Sequence, residues 1–185
     1  MQRTVVKPRI KVRYLGDALE KQKLSVKDYA ALVGYTSGMI SKIKNSKTPL
    51  SFDTAVNFLK NLDPKASAKV AIEIANKVTG VTPPVVDGKR IKQDNLALAI
   101  RTKREVFEAL TAIENSEDEL TVPTSQWTKE DKVDPMQVLI EWLDVLIIGE
   151  SFVESLCESL DVSLQDAYSD RTKYLIKEGV VSGER

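Results

Sequence analysis

The chain has 185 residues, and its 27 Lys and Arg residues balance 27 Asp and Glu residues. Because it contains no His and a single Cys, Cys157, the composition excludes a Ser-His-Asp triad, a zinc site with His ligands and an internal disulfide. The N-terminal segment lacks the apolar core of a signal peptide, and the longest apolar run, residues 138–148, is too short to span a bilayer. We therefore expect a soluble, cytoplasmic protein that makes no membrane contact.

The balanced total hides an uneven distribution of charge along the chain. Residues 1–62 contain twelve basic and four acidic side chains, and residues 63–104 contain nine and four. Residues 105–185 contain six basic and nineteen acidic side chains, a net charge of −13. This distribution predicts that a polyanionic partner binds the N-terminal part alone.

The first thirteen residues form a basic arm with five basic and no acidic side chains. Two interpretations stay open for this segment: a solvated tail, or an arm that follows DNA phosphates or enters the minor groove. The alternation of Ile10, Val12 and Tyr14 is compatible with a short strand.

Residues 14–62 have the spacing of four short helices. Ser25, Thr36 and Ser51 precede the last three as N-caps, and Gly34 stands where a tight turn needs a positive φ. From their spacing we expect the inward side chains of these three helices to be Tyr29, Ala30, Leu32, Val33, Ile40, Ile43, Phe52, Ala55, Val56 and Leu59.

A resemblance to a known protein family is concentrated in residues 24–45, which read LSVKDYAALVGYTSGMISKIKN. With its flanking residues this stretch resembles the Cro/C1-type (XRE family) helix-turn-helix of phage repressors and bacterial regulators, over residues 14–62. It departs from the family at Val26, where a phosphate-binding Gln is common. The matching positions are Leu24, Ser25, Tyr29, Ala30, Gly34, Thr36, residues 40–43, Lys47 and Pro49.

The resemblance implies that the third helix enters the major groove of double-stranded DNA. Side chains at its start would approach base edges, and the lysines would meet phosphates, which position a protein without specifying sequence. A small helical domain for protein binding is the alternative, against which the basic charge argues. The implied DNA-binding residues are Thr36, Ser37, Gly38, Met39, Ser41, Lys42, Lys44, Asn45 and Lys47.

A further helix over residues 64–79 carries an apolar stripe that should pack on the core or on a second subunit, and it would complete a DNA-binding domain over residues 14–79. The stripe comprises Ala66, Val70, Ala71, Ile74 and Val78. Residues 80–91 contain two prolines and two glycines, which is typical of a linker. Beyond it we expect an acidic helical domain over residues 92–179, folded as an antiparallel helical bundle, and a short tail, 180–185. The predicted class is therefore all-α.

The acidic domain should contain two long helices, residues 95–114 and 135–160, and a last helix over residues 164–177. The first has Leu96, Ile100, Phe107, Leu110 and Ile113 at helical spacing. In the second, residues 138–148 are apolar on every side except at two carboxylates, which predicts burial of this section. Buried carboxylates need a basic partner, a metal ion or a gap to solvent.

The two long helices carry the carboxylate pairs Glu105 with Glu108 and Glu141 with Asp144. Residues 95–178 resemble the all-α nucleoside triphosphate pyrophosphohydrolases, which include MazG and the dimeric dUTPases. In that group such carboxylates bind Mg²⁺ while water attacks a nucleotide. This chain departs from it at Arg104, where another Glu is usual.

Two hypotheses follow from these patterns. We favour a sequence-specific transcriptional regulator of phage-repressor type, without enzymatic activity or cofactor. Its C-terminal helices would form a homodimer or higher homo-oligomer, or bind a protein partner, and Arg101, Lys103 or Arg104 would pair with the carboxylates of the second helix. The alternative is a Mg²⁺-dependent nucleotide pyrophosphohydrolase-like protein with an attached DNA-binding domain, with Glu105, Glu108, Glu141 and Asp144 as metal ligands.

Overall fold

The computed structural model describes residues 9–183, and over this range the chain is all-helical, as predicted. Two short 3₁₀ turns, Thr124–Gln126 and Glu130–Lys132, separate the last two α-helices from the others. The α-helices are α1 (Leu15–Lys21), α2 (Val26–Val33), α3 (Ser37–Lys44), α4 (Phe52–Lys60), α5 (Ala68–Thr79), α6 (Asn95–Asn115), α7 (Glu117–Thr121), α8 (Val133–Ser159) and α9 (Leu164–Lys177).

The chain divides into two compact units, and the division differs from the expected one. Residues 85–156 form one unit, while the other combines residues 9–84 with residues 157–183. In the latter unit, Lys21 pairs with Glu158 at 2.8 Å and Lys65 pairs with Asp161 at 2.7 Å. The boundary after residue 84 falls within the predicted linker. The predicted acidic domain over residues 92–179 is not a single unit, because the segment from residue 157 onward packs with the N-terminal helices.

Local hydrogen bonds set the helix starts in the first unit. The hydroxyls of Ser25, Thr36, Ser51 and Ser163 accept hydrogen bonds from the amides of the first turns of α2, α3, α4 and α9. These bonds satisfy amides that have no partner within the helix. Gly34 ends α2 with φ of 75°, a left-handed conformation in which a Cβ is unfavourable. The predicted caps and the predicted glycine turn are therefore confirmed.

The core of the first unit is centred on Tyr29 and Phe58, which are both fully buried. Their rings meet edge to face at a centroid distance of 5.6 Å, and the Tyr29 hydroxyl donates to the Phe58 carbonyl at 2.8 Å. Phe58 was missing from the predicted inward set. Leu32 and Phe52 were wrongly placed in it: they are 59% and 42% exposed, because α2 and α4 turn other faces to the core.

The segment before α1 is held against the first unit from residue 10 onward. Ile10 and Leu50 exchange backbone hydrogen bonds of 2.8 and 2.7 Å in an isolated antiparallel bridge. Ile10 and Val12 are fully buried, so the predicted alternation produces one bridge and two core side chains. The arm hypothesis therefore does not extend over residues 10–13. The rest of the predicted arm, up to residue 8, lies outside the described residues.

The fifth helix begins later than predicted. Residues 63–66 form a turn in which the Ala66 amide bonds the Asp63 carbonyl at 3.0 Å and the Lys65 amide bonds the Asp63 carboxylate at 2.8 Å. Because the Asp63 side chain stabilises this turn, the helical hydrogen bonds start only at Ala68. Val78, expected in the buried stripe, is 38% exposed near the end of α5.

In the second unit α6 and α8 run antiparallel, since the Asn95 side chain hydrogen-bonds Ser155 while Glu108 lies beside Glu141. Their bounds agree with the prediction to within two residues. The helical spacing of the large apolar residues of α6 does not correspond to burial. Leu98, Ala109 and Ala112 of α6 are buried, and the predicted stripe is 49–71% exposed at its first four positions: Leu96, Ile100, Phe107 and Leu110.

The apolar section of α8 is also more exposed than predicted. Leu139, Leu143 and Leu146 are 47–56% exposed, whereas Ile148 is buried. The inner face of α6, with its small residues, covers only one side of α8. The other apolar sides of α8 therefore remain on the surface of the unit.

The contact of Phe58 with Tyr29 predicts that the two phenylalanines of α4, Phe58 and Phe52, contribute differently to stability. We expect Phe58→Ala to lower the free energy of unfolding by about 3–5 kcal/mol, because it removes a fully buried ring. Phe52→Ala, at a ring that is 42% exposed, is the matched control and should cost below about 1 kcal/mol. Urea unfolding followed by circular dichroism measures both, and equal losses would contradict the described core.

Candidate functional site

A three-residue connection, residues 34–36, joins α2 to α3. Gly34 provides the left-handed turn, and the Tyr35 ring packs edge to face on Phe58 at 5.3 Å. The Thr36 hydroxyl then accepts the Met39 amide at 3.2 Å and starts α3. Each residue of the connection therefore has a structural task, and together they set the direction of α3 relative to the core.

α3 has one face in the core and one on the surface. Ile40 and Ile43 are fully buried and anchor the helix. The predicted DNA-binding residues lie on the remaining faces. Among them Met39 is half-buried, and the others are exposed: Thr36, Ser37, Gly38, Ser41, Lys42, Lys44, Asn45 and Lys47.

Two of these side chains already have local hydrogen bonds. Thr36 is occupied as the cap of α3, and the Asn45 amide donates to the Ser41 carbonyl at 2.9 Å. Both serve the ends of the helix, so they are less available to an external ligand than their neighbours. The hydroxyls of Ser37 and Ser41 and the ammonium of Lys42 have no such role within the described chain.

Three lysines add positive charge to this surface. Within the part of the chain that the structure describes, Lys42, Lys44 and Lys47 form no ion pair. The stem of Lys44 runs over Gly16 of α1, where an added Cβ would lie 2.9 Å from the lysine Cε. Gly16 thus makes room for Lys44, a role that no local sequence signal indicates.

Arg13 has a different role from the one that its place in the basic arm suggested. Its backbone amide and its Nε atom each bond a carboxylate oxygen of Glu73 at 2.7 Å, and the Glu73 side chain is almost fully buried. The guanidinium also lies over the Tyr14 ring, 5.2 Å from its centroid. Arg13 therefore ties the N-terminal segment to α5. Arg9 and Lys11 remain exposed.

A second candidate site lies between α6 and α8. Carboxylate oxygens of Glu105, Glu108 and Glu141 all lie within 4.8 Å of one another. Glu105 is 1% exposed, and the other two are half-buried. Asp144, the fourth candidate, is exposed and does not belong to this group. The structure thus brings together three of the four carboxylates that sequence spacing selected.

Two glutamates of the cluster form ion pairs with arginines one turn earlier on α6. Arg101 pairs with Glu105, and Arg104 pairs with Glu108 at 3.0 Å. The Glu141 carboxylate accepts a hydrogen bond from Gln137 at 2.5 Å. Among the described residues neither Glu141 nor Asp144 forms an ion pair, so the pairing expected with Arg101, Lys103 or Arg104 does not occur.

Burial raises the pKa of Glu105, and the nearby Glu108 adds to the increase, while Arg101 opposes it. Three carboxylates with two arginine partners leave an excess of negative charge here, which a proton on Glu105 or an added cation would offset. Three carboxylate oxygens match the ligands that Mg²⁺ prefers. The two arginine partners compete with such an ion for Glu105 and Glu108.

Comparison with known proteins identifies no relative of this chain. No protein-family model matches it, and searches of characterised proteins and of solved structures also find no match. In the described residues no helix is long and apolar enough to cross a membrane. Functional inference for this protein therefore depends on its own residues.

The raised pKa of Glu105 predicts a specific pH dependence. The folded chain holds this proton to higher pH than the unfolded chain, whose Glu pKa is about 4.3. The stabilisation is complete below that pH and is lost as the pH rises through the folded-state pKa. We expect Glu105→Gln to remove this loss, as measured by the free energy of unfolding between about pH 4 and 8.

Glu114→Gln, at an exposed position on the same helix, is the matched control and should retain the wild-type pH profile. A stability difference between wild type and Glu105→Gln that is constant over this pH range would contradict the assignment.

Proposed function

We propose that this protein is a sequence-specific DNA-binding transcriptional regulator of phage-repressor type. The observation that carries the proposal is the exposed outer face of α3, with small polar side chains at its start and Lys42, Lys44 and Lys47 at its end. These lysines form no ion pair with any residue between 9 and 183. Small polar side chains and a Met suit base edges and thymine methyls, whereas the lysines suit phosphates.

The position of α3 supports this proposal. Its inner face is fixed by Ile40 and Ile43, so its outer side chains are held on a rigid element. The net charge of +8 over residues 1–62 supplies the non-specific attraction to DNA on which sequence recognition is built. A helix used for a protein partner would not need this basic charge.

We further propose that the regulator acts as a homodimer on palindromic DNA. A two-fold dimer would place two copies of α3 in successive major grooves, with half-sites about one helical turn apart. The acidic residues after position 104 would repel the phosphate backbone, which favours DNA contact through the N-terminal helices.

Charge reversal on α3 tests the proposal. We expect Lys42→Glu combined with Lys44→Glu to weaken binding roughly 100-fold or more and to lower the slope of log K against log salt by about 2. Duplexes selected by the wild-type protein from a random pool serve as probes in gel-shift titrations at several salt concentrations.

The matched control is Lys77→Glu combined with Lys89→Glu, an equal charge change at exposed positions of α5 and of the segment before α6. It should leave binding close to that of the wild type. Failure of the wild type to select any duplex, or binding that is insensitive to salt, would refute the proposed function.

The cluster of Glu105, Glu108 and Glu141 favours a second candidate, a Mg²⁺-dependent nucleoside triphosphate pyrophosphohydrolase activity. The three carboxylates would hold the ion by their oxygens. A bound Mg²⁺ would supply Lewis-acid polarisation of a phosphate and activation of water. Asp144 takes no part in this candidate, because it lies outside the group.

A paired substitution on α8 tests this second candidate. If the activity exists, Glu141→Gln should lower pyrophosphate release from nucleoside triphosphates with Mg²⁺ at least about 100-fold, because it removes a metal ligand. Asp144→Asn, three residues away and exposed, should retain the wild-type rate. Absence of release by the wild type, or equal rates in both variants, would reject hydrolysis.

A further inference from the structure

The second unit has its large apolar side chains on the outside. Twelve large apolar residues of α6 and α8 are each 38–71% exposed. On α6, Leu96, Ile100 and Phe107 lie on the side opposite Glu105 and Ala109, the residues that face α8. The contact between the two helices is therefore small and partly polar. The faces of α6 and α8 that carry the large apolar side chains are not covered by any other part of the described chain.

The exposed area is large enough for a stable interface. With about 150–250 Å² for each fully exposed large side chain, the twelve residues leave on the order of 1,000 Å² of apolar surface. A standard protein interface buries about 800 Å² on each partner, and the largest apolar patch of a typical monomer is about 300–600 Å². Summed over the outer face of α6 and the exposed side of α8, this area is comparable with what each partner of a dimer buries.

We propose that a second copy of this chain covers these faces, with α6 of one copy packed against α8 of the other. The two-fold axis then creates this contact twice, and the two hairpins form a four-helix arrangement. This inference rests on the homodimer of the proposed function and names the surface that forms it.

Charge complementarity selects this pairing over the contact of two identical helices. Between residues 133 and 156, α8 carries five acidic side chains and no basic one. α6 carries three basic and three acidic side chains, and its Arg101 and Arg104 pair with Glu105 and Glu108. Its remaining basic side chain, Lys103, lies at helical spacing within the exposed apolar stripe, between Ile100 and Phe107. Two α8 faces would bring like charges together, whereas α6 against α8 places Lys103 beside an acidic rim.

The mass of the full-length protein tests the proposal in the absence of DNA. The wild type should sediment at about twice the monomer mass of 20.6 kDa at micromolar concentration. Phe107→Glu and Leu143→Glu, one on each face, should raise the dimer dissociation constant at least about 100-fold, because each buries a charge in the interface. Val81→Glu, at a side chain that is 87% exposed outside both helices, should sediment like the wild type.

Cross-linking tests which helices meet. An equimolar mixture of Phe107→Cys and Leu143→Cys, treated with a short bis-maleimide, should give a cross-linked dimer in higher yield than either variant alone. The wild type, whose Cys157 is buried, gives the background. Strong cross-linking of Phe107→Cys alone would overturn the proposed pairing.

The outcomes separate this inference from DNA binding. A monomeric wild type, or variants that remain dimeric with unchanged helix content by circular dichroism, would overturn the interface. Loss of DNA binding in the α3 variants would leave the mass measurement unaffected, and the glutamate variants of α6 and α8 should still bind a single half-site weakly.

Discussion

The edge-to-face contact of Tyr29 with Phe58 is the interaction on which the basic unit depends. It joins α2 to α4, and the hydroxyl of Tyr29 ends on a backbone carbonyl of α4. Burial raises the pKa of this phenol, so it remains a neutral donor at physiological pH. Tyr35, in the connection before α3, packs on the same ring. The direction of α3 is thus determined by a small aromatic core, and its outer face is left free for a ligand.

Helix starts could be predicted from sequence because they depend on neighbouring residues alone. Ser25, Thr36, Ser51 and Ser163 each bond an amide three residues ahead, an interaction that needs no tertiary structure. The buried face of a short helix is a tertiary property. α4 has apolar side chains at several positions, and only the location of Tyr29 determines that Phe58 is buried and Phe52 is not.

In the candidate sites, too, sequence predicts what depends on local spacing and does not predict what depends on tertiary packing. The family resemblance selected the α3 residues, and spacing placed them outside the core, since a helix of eight residues has a calculable outer face once Ile40 and Ile43 are inward. Spacing also selected Glu105, Glu108 and Glu141, but their convergence depends on the register of α6 against α8. That register is set by contacts sixty residues apart, such as Asn95 with Ser155, and no local pattern reports them.

The carboxylate cluster and the exposed apolar faces have a common origin. Ala109 and Ala112 are small, so the inner side of α6 has little apolar surface to offer α8, and Glu105 occupies the same side. The large apolar residues therefore lie on the other sides of both helices. The hairpin of α6 and α8 therefore has its carboxylate cluster between the helices and its large apolar side chains on the outer surface. A second copy of the chain is the proposed cover for that surface, because Lys103 of α6 and the acidic side chains of α8 suit a contact between these two helices.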